Sequence, residues 1–200
     1  LDPKYPSNLV MFYIEEPDLH AHAFGPESQK ITDLVERLDK TTKYLHEKIY
    51  EKNLQNRVNV IHVSDHGMDS LQLKNVIDLS KIIDKKVKYY GSTPILQIVP
   101  DVASEREAIF KQLLNASTML KNFKVFKNED LPARWHFNNK DRVGPITVLA
   151  DLGFGFQDMY DNAKFYEEAY HIPVNNENKY GVHGYDNKYE TMHPIFFAYG

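Results

Sequence analysis

Three short stretches of this chain carry side chains able to hold a metal ion or move a proton. The first is Glu15-Glu16-Pro17-Asp18-Leu19-His20-Ala21-His22, in which five of eight residues qualify. Asp18 and His22 are four residues apart. A helical turn after Pro17 would set them on one face, where they could share an ion. The second stretch is Ser64-Asp65-His66-Gly67-Met68, a carboxylate and an imidazole side by side with a glycine that lets the backbone turn sharply. The third is Tyr180-Gly181-Val182-His183-Gly184-Tyr185-Asp186-Asn187, a histidine flanked by glycines.

Taken singly, each stretch also fits an ordinary polar turn. Together they supply two aspartates and three histidines at three loops. Oxygen and nitrogen donors without cysteine suit a catalytic rather than a structural zinc site. Five ligands are too many for one open site and too few for two. Two zinc ions with some ligands missing is the simplest arithmetic.

The elements that must position these loops can be read from periodicity. Leu9–Ile14 is a nearly continuous apolar run of strand length leading into Glu15, as expected of a strand covered on both faces. Residues 27–51 place Ile31, Leu34, Val35, Leu38, Leu45 and Ile49 on one helical stripe. Strands are predicted at Val58–Val63, running into Asp65, at Gly91–Val99, at Phe123–Phe126, at Ile146–Ala150 and at Ile195–Tyr199. Residues 75–83 are ambiguous. Ser104-Glu105-Arg106-Glu107 has the form of a capping box opening a helix to about Leu114. Strand and helix in alternation predict an α/β domain with a largely parallel central sheet flanked by helices, in which ligands bind at the carboxyl ends of strands. Residues 1–8 read as a loop with two prolines. The strand-like ends suggest a partial domain.

The motifs Tyr13-Ile14-Glu15-Glu16-Pro17-Asp18, His22, Gly25-Pro26, Ser64 to Met68, His183 to Asn187 and the closing Ile195 to Gly200 resemble, in order and spacing, the ectonucleotide pyrophosphatase/phosphodiesterase family. Leu131 to His136 and Arg142 to Leu152 resemble the family's segment before the last metal ligand. The resemblance implies an alkaline-phosphatase-like α/β fold and zinc-dependent hydrolysis of nucleotide phosphodiester or pyrophosphate bonds. By the same resemblance, Asp18, His22 and His183 hold one zinc, and Asp65 and His66 help to hold the second. Tyr13 occupies the place of a tyrosine lining the nucleotide pocket. The family's nucleophile is a threonine that forms a covalent intermediate. Thr32, Thr41, Thr42, Thr93, Thr118, Thr147 and Thr191 all lack its context, so no catalytic nucleophile is assigned in this chain. Residues 1–200 are therefore expected to be the C-terminal portion of a catalytic domain, binding at most one zinc well and inactive alone.

Alternatives within the resemblance are a phosphomonoesterase, a lysophospholipid or choline phosphodiesterase, and a non-catalytic relative used for binding. Ala21 stands where the family's motif has glycine, which predicts a slightly shifted loop. His20 is expected to face solvent. His46, His62, His136, His171 and His193 receive no role, and Trp135 is read as a packing residue. Asp186 and Asn187 are expected to organise the turn behind His183.

Composition narrows the classes further. The chain has 200 residues, 24 basic against 28 acidic, and a formal net charge of −4. No broad basic field exists to hold a nucleic-acid polymer, so the expected partner is a small phosphate-containing molecule, by the resemblance a nucleotide. With no cysteine, thiol catalysis and disulfide scaffolds are excluded. No apolar run reaches the ~20 residues of a membrane span. An extracellular or cell-surface address is implied by the resemblance, with one glycosylation triplet, Asn115-Ala116-Ser117, in slight support.

Overall fold

The computed structural model describes residue 4 and residues 7–200. The loop read at residues 1–8 therefore lies mostly outside the described residues. In chain order the elements are α1 (Asp18–Phe24), α2 (Gln29–Glu51), β1 (Val60–Val63), β2 (Asp69–Gln72), β3 (Val76–Ile77), β4 (Val87–Ser92), β5 (Ile95–Pro100), α3 (Arg106–Leu120), β6 (Phe123–Lys127), β7 (Ile146–Ala150), β8 (Gly155–Phe156), α4 (Met159–Tyr170), β9 (Lys179–Val182) and β10 (Phe196–Tyr199).

The α/β class holds, but most of the pairing is antiparallel. A four-stranded sheet runs in the order β4-β5-β7-β6 with every neighbour antiparallel. Two ribbons, β1–β10 and β2–β9, are antiparallel too, and only the short β3–β8 pair is parallel. The expectation of a largely parallel sheet is thus corrected for the described residues. One reason is local. The predicted strand Gly91–Val99 holds most of β5 (Ile95–Val99), but it also takes in the end of β4 and the Thr93-Pro94 turn that joins the two strands as a hairpin. A two-residue connection can link only antiparallel strands. The predicted strand Ile146–Ala150 forms as β7, and all five of its residues are buried, as in a strand covered on both faces.

The core forms where α3 crosses this sheet. Ile109 and Leu113, four apart on α3, are fully buried with Ile98, Phe123, Ile146 and Val148. The helix opens without a capping box. Ser104 lies in a 3₁₀ turn, Glu105 precedes the helix without a side-chain cap, and the helix runs on to Leu120, beyond the predicted stop. The triplet at Asn115 lies inside this helix, and the Ser117 hydroxyl donates to the Phe123 carbonyl at 2.6 Å. Residues 75–83 become the short β3 between two 3₁₀ turns.

The run Leu9–Ile14 corrects another expectation. It pairs with no strand among the described residues, and Leu9 to Tyr13 are 72–87% exposed. A strand needs a neighbour to satisfy its N–H and C=O groups, and an apolar run needs covering layers. Neither is present beside it here. The closing strand does form, as β10, but its Phe196 and Phe197 are exposed, as are Ile61 and Val63 of β1.

Helix α4 was not anticipated, although Met159, Ala163, Tyr166 and Tyr170 follow helical spacing. Tyr166 stacks on Tyr180 of β9, and Tyr170 meets His20 and Phe24 of α1. The helix thereby braces two of the three elements that carry candidate ligands.

Candidate metal centre

Helix α1 begins where the sequence reading placed it. Asp18 sits in its first turn, where a carboxylate is favoured by the helix dipole. One turn on, His22 Nε2 lies 3.4 Å from Asp18 Oδ2. Ala21 is helical and buried against β9, so the loop shift expected from losing a glycine does not arise. The close approach is made possible on the other side. A Cβ on Gly181 would lie 2.3 Å from the Ala21 carbonyl oxygen, so only glycine fits. His22 Nδ1 consequently reaches the Gly181 carbonyl at 2.8 Å. Donating there fixes the tautomer and leaves the Nε2 lone pair facing Asp18.

The second loop leaves β1 at Ser64. It is held against the segment before β10, with Ser64 Oγ accepting the Ile195 N–H at 2.9 Å. A Cβ on Gly67 would meet the Thr191 carbonyl oxygen at 2.0 Å, so this glycine also permits a close backbone approach. His66 Nδ1 donates to the Gly67 carbonyl at 2.8 Å. Its Nε2 lies 3.5 Å from Asp65 Oδ1 and 3.8 Å from Asp18 Oδ1. Asp65 itself projects into solvent, its side chain 78% exposed.

The third loop leaves β9 at Val182. His183 Nε2 lies 3.6 Å from Asp18 Oδ1, and its ring is 5.0 Å from that of His22 and 3.5 Å from that of His66. Burial, reinforced by the neighbouring His66 and His22 imidazoles, pushes the His183 pKa down to about 4 against the pull of Asp18 and Asp65. A neutral imidazole is the form that ligates.

The donor set fits a divalent ion. Asp18, His22 and His183 each offer an atom, and these lie within 4.8 Å of one another. Asp18 Oδ1 is buried and has no hydrogen-bond partner. Separations of 3.4 and 3.6 Å are long for hydrogen bonds but close to the edge of a tetrahedron with ~2.0–2.2 Å metal–ligand bonds. Asp65 and His66 stand beside this triad as two further donors.

Other sequence readings fared unevenly. Tyr13 is 81% exposed and is not enclosed by the structure. His20 does not simply face solvent: its Nδ1 is 2.5 Å from Glu16 Oε1, and its ring stacks on Phe24. His46 and His62 meet each other, Nε2 to Nε2 at 3.0 Å. Asp186 does organise the turn after His183, accepting the Lys188 N–H at 3.0 Å. Its key partner was missed. Arg134 donates to Asp186 at 2.6 Å and to Asn187 at 2.5 Å across more than fifty residues of chain. No spacing rule links those positions.

Comparison with known proteins finds relatives over nearly the whole chain. Residues 2–186 match the family model described as type I phosphodiesterase / nucleotide pyrophosphatase. The chain is 33% identical over 201 aligned positions to human ectonucleotide pyrophosphatase/phosphodiesterase family member 5, covering 98% of this chain and 38% of that protein. It is 30% identical to human bis(5′-adenosyl)-triphosphatase, covering 98% and 39%. Its structure resembles that of murine ectonucleotide pyrophosphatase/phosphodiesterase 5, with a TM-score of 0.75 at 32% identity, over 92% of this chain and 45% of that one. The same fit is found to an inactive threonine-to-alanine variant of the murine protein in complex with AMP. The chain spans about two fifths of the length of the curated relatives it matches.

Proposed function

The chain belongs to the ectonucleotide pyrophosphatase/phosphodiesterase family of type I phosphodiesterases, and from that premise we propose that it contributes the metal-holding part of a two-zinc site that hydrolyses nucleotide phosphodiester or pyrophosphate bonds. The observation that carries the proposal is the convergence of Asp18 and His22 of α1 with His183, more than 150 residues away in the chain, onto one small volume. In this reading those three residues hold one zinc, and Asp65 and His66 give part of the shell of a second. Bound zinc would supply Lewis-acid stabilisation of phosphoryl oxygens and lower the pKa of a coordinated oxygen.

The residues of this chain keep that site in order. The Gly181 and Gly67 carbonyls hold two imidazoles in the ligating tautomer. Arg134 and Asp186 tie down the loop that presents His183. The attacking group is proposed to be a threonine outside these 200 residues. The inactive threonine-to-alanine variant of the murine relative supports that choice. Among the described residues Thr93 is already committed, its hydroxyl donating to Asp158 at 2.7 Å. By kinship, an extracellular or cell-surface address is part of the same proposal. Among the described residues no helix is long and apolar enough to cross a membrane.

The test has two parts. Zinc titration of this chain should give one tight equivalent that His183→Ala abolishes. The complete parent should hydrolyse a p-nitrophenyl ester of a nucleoside monophosphate in a chelator-sensitive way, in preference to a choline phosphodiester. Absence of zinc binding by folded protein, or a preference for the choline ester, would overturn the reading.

A further inference from the structure

Helix α1 carries Asp18 and His22 on one face, but nothing within the helix fixes where that face points. It has seven residues, too few to be stable alone, and Pro17 at its N-cap supplies no side-chain bond. The close approach of Ala21 to Gly181 holds it from the side of β9. Its opposite side is held by Glu16, His20 and Phe24, spaced four residues apart. His20 is two residues from both Asp18 and His22, about 200° around the helix axis from each, and so faces away from the metal centre.

His20 joins the three into a ladder. Its Nδ1 donates to Glu16 Oε1 at 2.5 Å, since a carboxylate can only accept. Its ring stacks on Phe24, with centroids 6.0 Å apart and planes 16° from parallel, and lies 5.5 Å from the ring of Tyr170. Phe24 meets Tyr170 edge-on at 5.7 Å. Tyr170 closes α4, so the ladder ties α1 to a second helix. Glu16 Oε2 is buried without a partner, so among the described residues His20 gives the Glu16 carboxylate its only hydrogen bond. Losing that bond would free α1 to turn. Asp18 and His22 would turn together and keep their own separation. Their distance to His183, now 3.6 Å from Asp18 Oδ1, would change, because His183 sits on a different element. An ion that needs all three would then bind more weakly with every ligand still present.

We infer that His20 is a positioning residue for the metal centre, acting through its bond to Glu16 to aim Asp18 and His22 at His183. The inference rests on the proposed function for the nature of the site, and on the ladder for the role of His20.

Two substitutions in the full chain break the bond from either end. His20→Phe keeps a ring in the stack and removes the donor. Glu16→Ala removes the acceptor and keeps the stack, so it reads the same bond should His20→Phe fail to fold. Folding is checked by circular dichroism, and zinc affinity is measured by competition with a chromophoric chelator. Each variant should bind zinc about tenfold more weakly than the unsubstituted chain, the lower end of the loss for outer-shell partners of metal ligands. The double variant should be no weaker than either single one, since both remove one bond. Glu16→Gln, whose amide oxygen still accepts from His20, should recover most of the affinity. The visible spectrum of the cobalt(II)-loaded chain, which reports ligand geometry, should shift in the first two variants and return in Glu16→Gln. A role in stability alone would lower the melting temperature and leave zinc affinity and the cobalt spectrum of the folded chain unchanged; that result would overturn the positioning role and leave the proposed function standing. Additive losses in the double variant would overturn it too, by showing that the two side chains act separately. If the unsubstituted folded chain takes up no zinc, the metal reading itself fails and the positioning role falls with it.

Discussion

The imidazole rings of His66 and His183 lie face to face, with centroids 3.5 Å apart and planes 9° from parallel. Two positive charges at that distance, half removed from water, would repel strongly. The pair therefore persists only while at least one ring is neutral.

A pH dependence of the metal-free protein follows. The His183 pKa falls from 6.5 to about 4 on folding, chiefly through burial. Between those values the unfolded chain binds the proton and the folded chain does not, so stability declines as pH falls from about 6.5 toward about 4. Denaturant melts at pH 7.5 and pH 4.5 should differ by about 2 kcal/mol from this group, after allowance for its partial exposure. In His183→Gln that share of the difference should disappear.

Gly181→Ala should be severe. The added Cβ would press on the Ala21 carbonyl at 2.3 Å and on Met68 Sδ at 2.4 Å. Displacing α1 should cost about 2–4 kcal/mol by chemical denaturation. Zinc affinity should fall with it, because His22 loses its carbonyl partner.

Removing Arg134 leaves a buried carboxylate alone. Burial by itself would raise the Asp186 pKa, but the Arg134 guanidinium, with the Lys188 N–H, holds it below the usual carboxylate range. Its stabilisation is present above the unfolded pKa and is lost as pH falls through the folded value. Arg134→Ala should destabilise the chain at pH 7 by about 1–3 kcal/mol, discounted because the guanidinium is partly exposed. Thermal melts in that variant should also show a weaker response to acid.

Chelation should separate the two parts of the ligand set. With Asp18, His22 and His183 intact, one zinc per chain should raise the melting temperature, and EDTA should return it to the metal-free value. Asp65→Asn should leave that first equivalent almost unchanged, since Asp65 is largely exposed. His22→Ala should remove it.

The candidate ligands were legible because their signals are local. Asp18 and His22 are one helical turn apart, and Asp65-His66 follows directly from a strand. What joins them was not legible. That Gly181 admits Ala21, that Arg134 reaches Asp186 and that His20 pairs with Glu16 are outcomes of tertiary approach, which spacing does not encode. The strand errors have a similar cause. Apolar runs such as Leu9–Ile14 advertise burial, but whether a partner strand is present depends on the rest of the sheet. Pairing direction was missed because the Thr93-Pro94 turn was read as the start of a strand rather than as its reversal.

The ribbons around the centre also set an order of events during folding. The four-stranded sheet and α3 close over modest loops, beginning with the two-residue turn between β4 and β5. Val60 must find Tyr199, and Asp69 must find Val182, before the three ligand-bearing loops can meet. Loop-closure entropy makes such distant pairings the slow ones. In a stopped-flow refolding experiment the Trp135 signal, on the locally closed side, should therefore recover before the capacity to bind zinc. Zinc present from the start should slow unfolding while leaving the first refolding phase unchanged. Simultaneous recovery of both signals would show instead that the whole chain closes as one cooperative unit.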